Sequence, residues 1–254
     1  MKLLIVQTGV AAPEVLQRHG DFPEWFRRGL GLTQRDIACV RVDNGGALPA
    51  PDSVAAVVVT GSAAMVPERL DWSERTAAWL RRAIALEVPT LGVCYGHQLL
   101  AHALGGRVDY NPRGREIGTV QIERLAASAD DELVSTLPQN FSAHATHLQS
   151  VVQLPKAAVV LARSALDDCQ LVRFAPRVWG AQFHPEFGMQ EMRGYLRARS
   201  EAIDYEGLDT QALLRAVRSC PDARALLRRF ARIALQSRRS LRSTPRAIPV
   251  AAGV

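Results

Sequence analysis

A cysteine stands between glycines in "GVCYGHQLLAHALGG", from Gly92 to Gly106, and far down the chain a histidine and a glutamate stand two apart in "GAQFHPEF". A thiol attacks as its thiolate, so it needs a base, and the base needs a group to orient it. Cys94, His184 and Glu186 supply these three types. Residues i and i+2 of an extended segment share a face, and Pro185 keeps His184 out of the α region. The Glu186 carboxylate then reaches one imidazole nitrogen and leaves the other for a thiol. That is the nucleophile, base and orienter of a catalytic triad. The bland alternative is a solvated His and Glu at a strand end.

A lone cysteine in an apolar run is ordinarily a small core residue. Cys39 and Cys169 read that way, each inside a strand pattern with no glycine turn. Cys94 differs, because G-x-C-x-G has the form of a nucleophile elbow with Cys in place of Ser. Such a turn strains its central residue, and small neighbours let the backbone pass close. The thiol then projects above the carboxyl edge of the sheet, where open α/β sheets bind ligands. The N-terminus of the following helix favours the thiolate.

These residues need a scaffold that brings strand ends together. "LLIVQT", "DIACVRV", "AAVVVTG" and "PTLGVC" are nearly continuous apolar runs, as parallel strands buried on both faces require. "DWSERTAAWLRRAIALE" lies between the last two. Asp71 and Glu74 predict a capping box, and Trp72, Ala78, Trp79, Ala83 and Leu86 an apolar stripe ended by Pro89. From Gly118 the pattern alternates in "GTVQIERL", "FSAHATHLQSV", "AVVLARS" and "CQLVRF", which predicts antiparallel or edge strands. "RVWGAQFHPE" is the last strand, and the chain is helical from Gly188. The reading is an α/β fold with a three-layer, open, mostly parallel sheet. It places a catalytic domain over 1–190, a helical C-terminal extension over 191–237 and a poorly ordered basic tail over 238–254.

With 254 residues, 48% of them hydrophobic, the chain buries a sizeable core, and whole-chain disorder is excluded. The net charge of +6 gathers in "RALLRRFARIALQSRRSLRSTPRA". Phe230 alone among these arginines is aromatic, too few for base stacking, so they read as a solvated helix face rather than a nucleic-acid site. Four scattered cysteines imply neither a zinc site nor a disulfide framework, and no metal or cofactor is expected. No apolar run reaches membrane-spanning length, and "MKLLIVQTG" reads as a first strand, so a cytoplasmic protein is expected.

The two motifs together resemble the class I (triad-type) glutamine amidotransferases. "TGS" at Thr60–Ser62 is similar to that family's oxyanion loop, and "HATHLQSV" at His144–Val151 to the segment holding the amino-acid end of the substrate. The four matches fall in family order over about residues 1–190. The resemblance implies a flavodoxin-like fold in which Cys94 attacks the glutamine amide, His184 moves protons and Glu186 orients His184. It implies an oxyanion hole from the N–H groups of Gly61 and Tyr95, and substrate contacts from Gln98 and His147. His97 and His102 read as structural, and His144 carries no assigned role. No G-x-x-x-x-G-K-[ST] loop is present, so the ammonia acceptor would belong to a synthetase partner chain. Two alternatives stay open. One is a stand-alone hydrolase of a γ-glutamyl amine, since "GREIG" at Gly114–Gly118 resembles a segment of such proteins. The other is a non-catalytic regulatory domain on the same fold.

Overall fold

In β1 (Leu3–Gln7), Leu3 and Ile5 pack into one core while Leu4 and Val6 pack into another. An apolar run without alternation therefore sits in the middle layer of three. The computed structural model describes the backbone of residues 1–243 and the side chains of residues 1–236. After β1 come α1 (Pro13–His19), α2 (Phe22–Leu30), β2 (Ile37–Arg41), β3 (Ala56–Val59), α3 (Asp71–Ala85), β4 (Thr90–Val93) and α4 (Tyr95–Ala103). The second half adds β5 (Arg107–Tyr110), β6 (Glu116–Arg124), β7 (Asn140–His147), β8 (Gln149–Gln153), β9 (Val159–Arg163), β10 (Leu171–Ala175) and β11 (Val178–Ala181). Four helices close the described chain: α5 (Met189–Ala198), α6 (Ser200–Tyr205), α7 (Thr210–Ala216) and α8 (Pro221–Ser243).

The main sheet has nine strands in the order β2-β1-β3-β4-β11-β10-β9-β6-β7. Strands β2, β1, β3, β4 and β11 are parallel, and the other four continue antiparallel. This is the flavodoxin-like α/β sheet with an antiparallel arm. Trp79 and Leu80 of α3 and Leu99 and Leu100 of α4 cover one face. Phe26 of α2, Met192 of α5 and Leu226, Leu227 and Phe230 of α8 cover the other. The C-terminal helices thus complete the layer that α1 and α2 begin.

Several local expectations change. "FSAHATHLQSV" is two strands, because the chain passes at Leu148 from the main sheet to a two-stranded ribbon of β5 with β8. Alternation continues across that break because both ribbons have a buried face. Asp71 is the first residue of α3, not its cap. Leu70 holds the cap position without a side-chain bond, and Glu74 instead meets His102 Nε2 at 2.8 Å. Leu86 lies past the last turn of α3 and is 56% exposed. Cys39 is exposed rather than packed, because β2 is an edge strand and this face turns outward. The helix α8 continues through Ser243, past the start of the expected tail at 238, and residues 244–254 lie outside the described residues. Among the described residues, no helix is long and apolar enough to cross a membrane.

Gly96 lets α4 pass close to the backbone of β3. A Cβ there would lie 2.4 Å from the Val59 carbonyl oxygen, which is backbone of β3 and has nowhere to move. At Gly29 a Cβ would meet Leu227 Cδ1 at 2.4 Å, the far end of a side chain that can rotate. Gly96→Ala is therefore expected to lower unfolding free energy by about 2 kcal/mol or more, and Gly29→Ala by under about 1 kcal/mol, helix propensity offsetting part of the clash. Urea midpoints check both; equal losses would contradict this packing.

Candidate active site

Three neighbouring parallel strands end at one edge. Val59 of β3 pairs with Gly92 of β4, and Ala181 of β11 pairs with Val93. The chain beyond each strand end therefore converges: Thr60 and Gly61 after β3, Cys94 after β4, and Gln182 to Glu186 after β11. Cys94 has φ 52° and ψ −105°, a conformation that strains an L residue. Its N–H donates to the Ala181 carbonyl at 2.8 Å, and the Gly96 N–H donates to the Thr60 carbonyl at 3.1 Å. The elbow is thus pinned to the two strand ends that flank it. Thr8 Oγ1 donates to the carbonyls of Thr60 and Gly61 at 3.0 Å each, which fixes the loop after β3. Gly61 is needed at its position, since a Cβ there would lie 3.2 Å from His184 Cε1.

His184 Nδ1 and Glu186 Oε1 lie 2.7 Å apart, both residues buried. Pro185 lies between them, as the extended H-P-E reading requires. The His184 N–H donates to the His144 carbonyl at 2.7 Å. The ring stacks on Phe187 at 4.1 Å with 15° between planes, and Phe187 stacks on Tyr195 at 5.0 Å. Phe22 lies beside this pair, 6.5 Å from the His184 ring and 6.4 Å from Phe187. Stacking on Phe187 and the bond to Glu186 together orient the imidazole. Its Nε2 is buried without a hydrogen bond of ordinary geometry.

The electrostatics couple the ring to the cysteine. Burial works against a charged imidazole, but Glu186 and Cys94 push its pKa up to about 10. Burial pushes the Cys94 thiol up; the charge and hydrogen bond of His184, then the charge of His147, outweigh it, and the thiol lies below its ordinary value. Both shifts favour the charged forms, a thiolate and an imidazolium. The other buried thiols go the opposite way, to about 12 at Cys169 and about 11 at Cys220, burial being the main cause.

His147 has both ring nitrogens engaged by the protein. Nε2 meets Glu116 Oε2 at 2.9 Å, and Nδ1 meets the Gln149 carbonyl at 3.0 Å, with Asp167 Oδ2 at 3.9 Å. Burial opposes its charge, but Glu116 and Asp167 prevail and raise its pKa. Both ring nitrogens are thus engaged within the protein, and the raised pKa favours a charged ring near Cys94. Gln98 lines the cavity beside Cys94 and is held by its own amide, which donates to the Gln149 carbonyl and to Gln182 Oε1 at 2.9 Å each. Tyr95 is the first residue of α4, so its N–H has no intrahelical acceptor. Its hydroxyl is anchored 2.6 Å from Ser73 Oγ. His97 is buried against Phe174 with its pKa pulled down to about 3 by burial, and His144 is pulled to about 4 for the same main reason. Both fit structural roles.

The family model described as "Glutamine amidotransferase class-I" matches residues 23–200. The chain belongs to the class I glutamine amidotransferase family. It is 31% identical over 180 residues to a glutamine-hydrolysing GMP synthase subunit from Halobacterium salinarum, covering 70% of this chain and 90% of that protein. It is 34% identical over 160 residues to the glutamine-hydrolysing GMP synthase of Aeropyrum pernix, covering 63% of this chain and 29% of that longer protein. The structure of a glutamine amidotransferase from Thermotoga maritima superposes with a TM-score of 0.73 at 21% identity, over 92% of this chain and 98% of that one. That likeness concerns the fold.

Within this candidate site, sequence reasoning missed Glu116, Asp167, Phe187, Tyr195 and Arg199. Phe187 adjoins "HPE" and Glu116 sits in "GREIG", so each had a local signal; the others had none. A thiolate formed by its neighbours predicts a specific reactivity. Iodoacetamide at neutral pH is expected to alkylate Cys94 at least about tenfold faster than the exposed Cys39, and His184→Ala to reverse the order. Peptide mass mapping checks this; preferential labelling of Cys39 in the unmodified protein would contradict the ion pair.

Proposed function

We propose that the protein hydrolyses the side-chain amide of glutamine through a Cys94 thioester and passes the ammonia to an acceptor on another chain. The observation that carries this reading is the 2.7 Å His184–Glu186 bond beside an elbow cysteine with a depressed pKa. The Cys94 thiolate attacks the amide carbon. The N–H groups of Gly61 and Tyr95 receive the oxyanion, Gly61 from a loop that Thr8 holds and Tyr95 from the open end of α4. The His184 imidazolium protonates the leaving nitrogen, and Glu186 stabilises the ring in both states. Neutral His184 then takes a proton from water as it attacks the thioester, releasing glutamate and restoring the pair.

The glutamyl end occupies the narrow lobe beside Cys94, where Gln98 and Gln149 stand. The relatives named as glutamine-hydrolysing subunits of GMP synthase, from Halobacterium salinarum and Methanopyrus kandleri, support a partner that consumes the ammonia. A synthetase chain fits that role, and a cytoplasmic setting fits the thiolate chemistry.

Ammonia and glutamate release from glutamine tests this reading. Cys94→Ser is expected to abolish release with an unchanged circular dichroism spectrum. His184→Ala is expected to cost on the order of 10⁴-fold in kcat and Glu186→Gln on the order of 10²-fold, since orientation is one part of the triad. Undiminished release in Cys94→Ser would overturn the assignment.

A further inference from the structure

Cys94 opens on two lobes, the narrow one where Gln98 and Gln149 stand and an apolar one walled by Val10, Leu16 and Phe22. A third cavity, of about 500 Å³, shares no residue with either. It lies between α3 and the loop that follows β2, the edge strand of the main sheet. Helical spacing builds its α3 side. Trp72, Arg75, Thr76, Trp79 and Arg82 recur at steps of three and four residues and so share one face. The Trp79 indole N–H donates to the Pro49 carbonyl at 2.7 Å, which ties the loop to that face. Gly45, in the left-handed region at φ 81°, and Gly46 leave the loop side open to a close approach.

The charge in this cavity is of one sign. Among the described residues no carboxylate lines it, and neither Arg75 nor Arg82 meets an ion-pair or hydrogen-bond partner. The N–H groups of Ala47 and Leu48, on the loop side, likewise donate to no protein acceptor among the described residues. The two arginines stand seven positions apart, about 10 Å along the helix axis, so their long side chains can close on one group between them. A pair of unpaired guanidiniums matches a dianion, and a phosphate monoester is close to one at neutral pH where a lone carboxylate is not. The remaining wall is apolar and aromatic, from Val42, Leu48 and the two tryptophans. A flat ring stacks on such a surface.

We propose that this cavity binds a phosphate monoester of a small molecule carrying a flat ring, the class to which nucleoside monophosphates belong, with the phosphate between Arg75 and Arg82 and the ring against Trp72. The site stands apart from the chemistry at Cys94 and holds whether or not glutamine is the substrate. A single aromatic contact separates it from the elbow: the Trp72 ring lies 5.5 Å from that of Tyr95, the residue after Cys94.

Isothermal titration calorimetry of the full chain with adenosine 5′-monophosphate, adenosine and inorganic phosphate tests this. The nucleotide is expected to bind with a Kd below about 1 mM, and adenosine and phosphate each at least about tenfold more weakly, since each carries half of what is recognised. Arg75→Gln and Arg82→Gln, both at exposed positions, are each expected to weaken the nucleotide about tenfold and to leave adenosine unchanged. The nucleotide is expected to quench indole fluorescence, and most of the quench to be lost in Trp72→Phe. No saturation by the nucleotide up to about 10 mM overturns the inference. Binding that both arginine variants retain in full puts the nucleotide elsewhere and also overturns it. Inorganic phosphate binding as tightly as the nucleotide removes the ring from the site, with the same result.

Discussion

A thiol and an imidazole buried close together, each shifted toward its charged form, are the constraint around which the candidate site is arranged. A lone buried thiolate or imidazolium would neutralise itself, since the desolvation cost of either ion is several kcal/mol. Each is shifted toward its charged form by the other, and Glu186 holds the imidazole from behind. Such a pair tolerates little displacement. That explains why its members sit on the ends of adjacent strands, why Cys94 is held in a strained turn by hydrogen bonds to both neighbours, and why the His184 ring stacks on Phe187, which Tyr195 backs in turn.

A wider charge network supports the pair. His147 stands between Glu116 and Asp167, and its positive charge adds to that of His184 at Cys94. Glu116 is itself fixed by Ser164 Oγ at 2.6 Å and by Gln170, and Asp167 by Ser150 Oγ at 2.6 Å. These groups come from β6, β7, β8 and the connection between β9 and β10. The antiparallel arm of the sheet is thus a mount for the electrostatics of the parallel half. Arg115 ties the start of the same strand to Glu206 after α6 with two bonds of 2.7 Å, so the C-terminal helices brace the arm as well as filling the core.

The legible parts of the site were those whose physics is local. G-x-C-x-G is an elbow because neighbours in sequence must be small, and H-P-E orients a histidine because two residues of extended chain span one hydrogen bond. The parallel strands were legible because burial on both faces removes alternation. What stayed hidden depends on contacts across the fold. Nothing near His147 in sequence says that Glu116 and Asp167 will occupy its nitrogens, and nothing around Arg199 says that its helix ends beside Cys94. The break at Leu148 was hidden for the opposite reason: the pattern there is good, and it serves two sheets. Helices α1 and α2, which wall the apolar lobe, pass through proline-bearing segments, "PEVLQRH" and "FPEWFRRGL", where proline sits in the first turn and only looks like a breaker.

The most direct test of the account is the ultraviolet thiolate absorbance of Cys94 as a function of pH, taken as the difference between wild-type protein and Cys94→Ser. The account predicts thiolate signal that appears below the value of about 8.5 for a free cysteine. It predicts a further change near 10, where His184 loses its proton. In His184→Ala the first transition moves up, because burial is then opposed by the charge of His147 alone. A wild-type thiol that titrates at or above that value, unaffected by removing His184, would contradict the ion pair and the mechanism built on it.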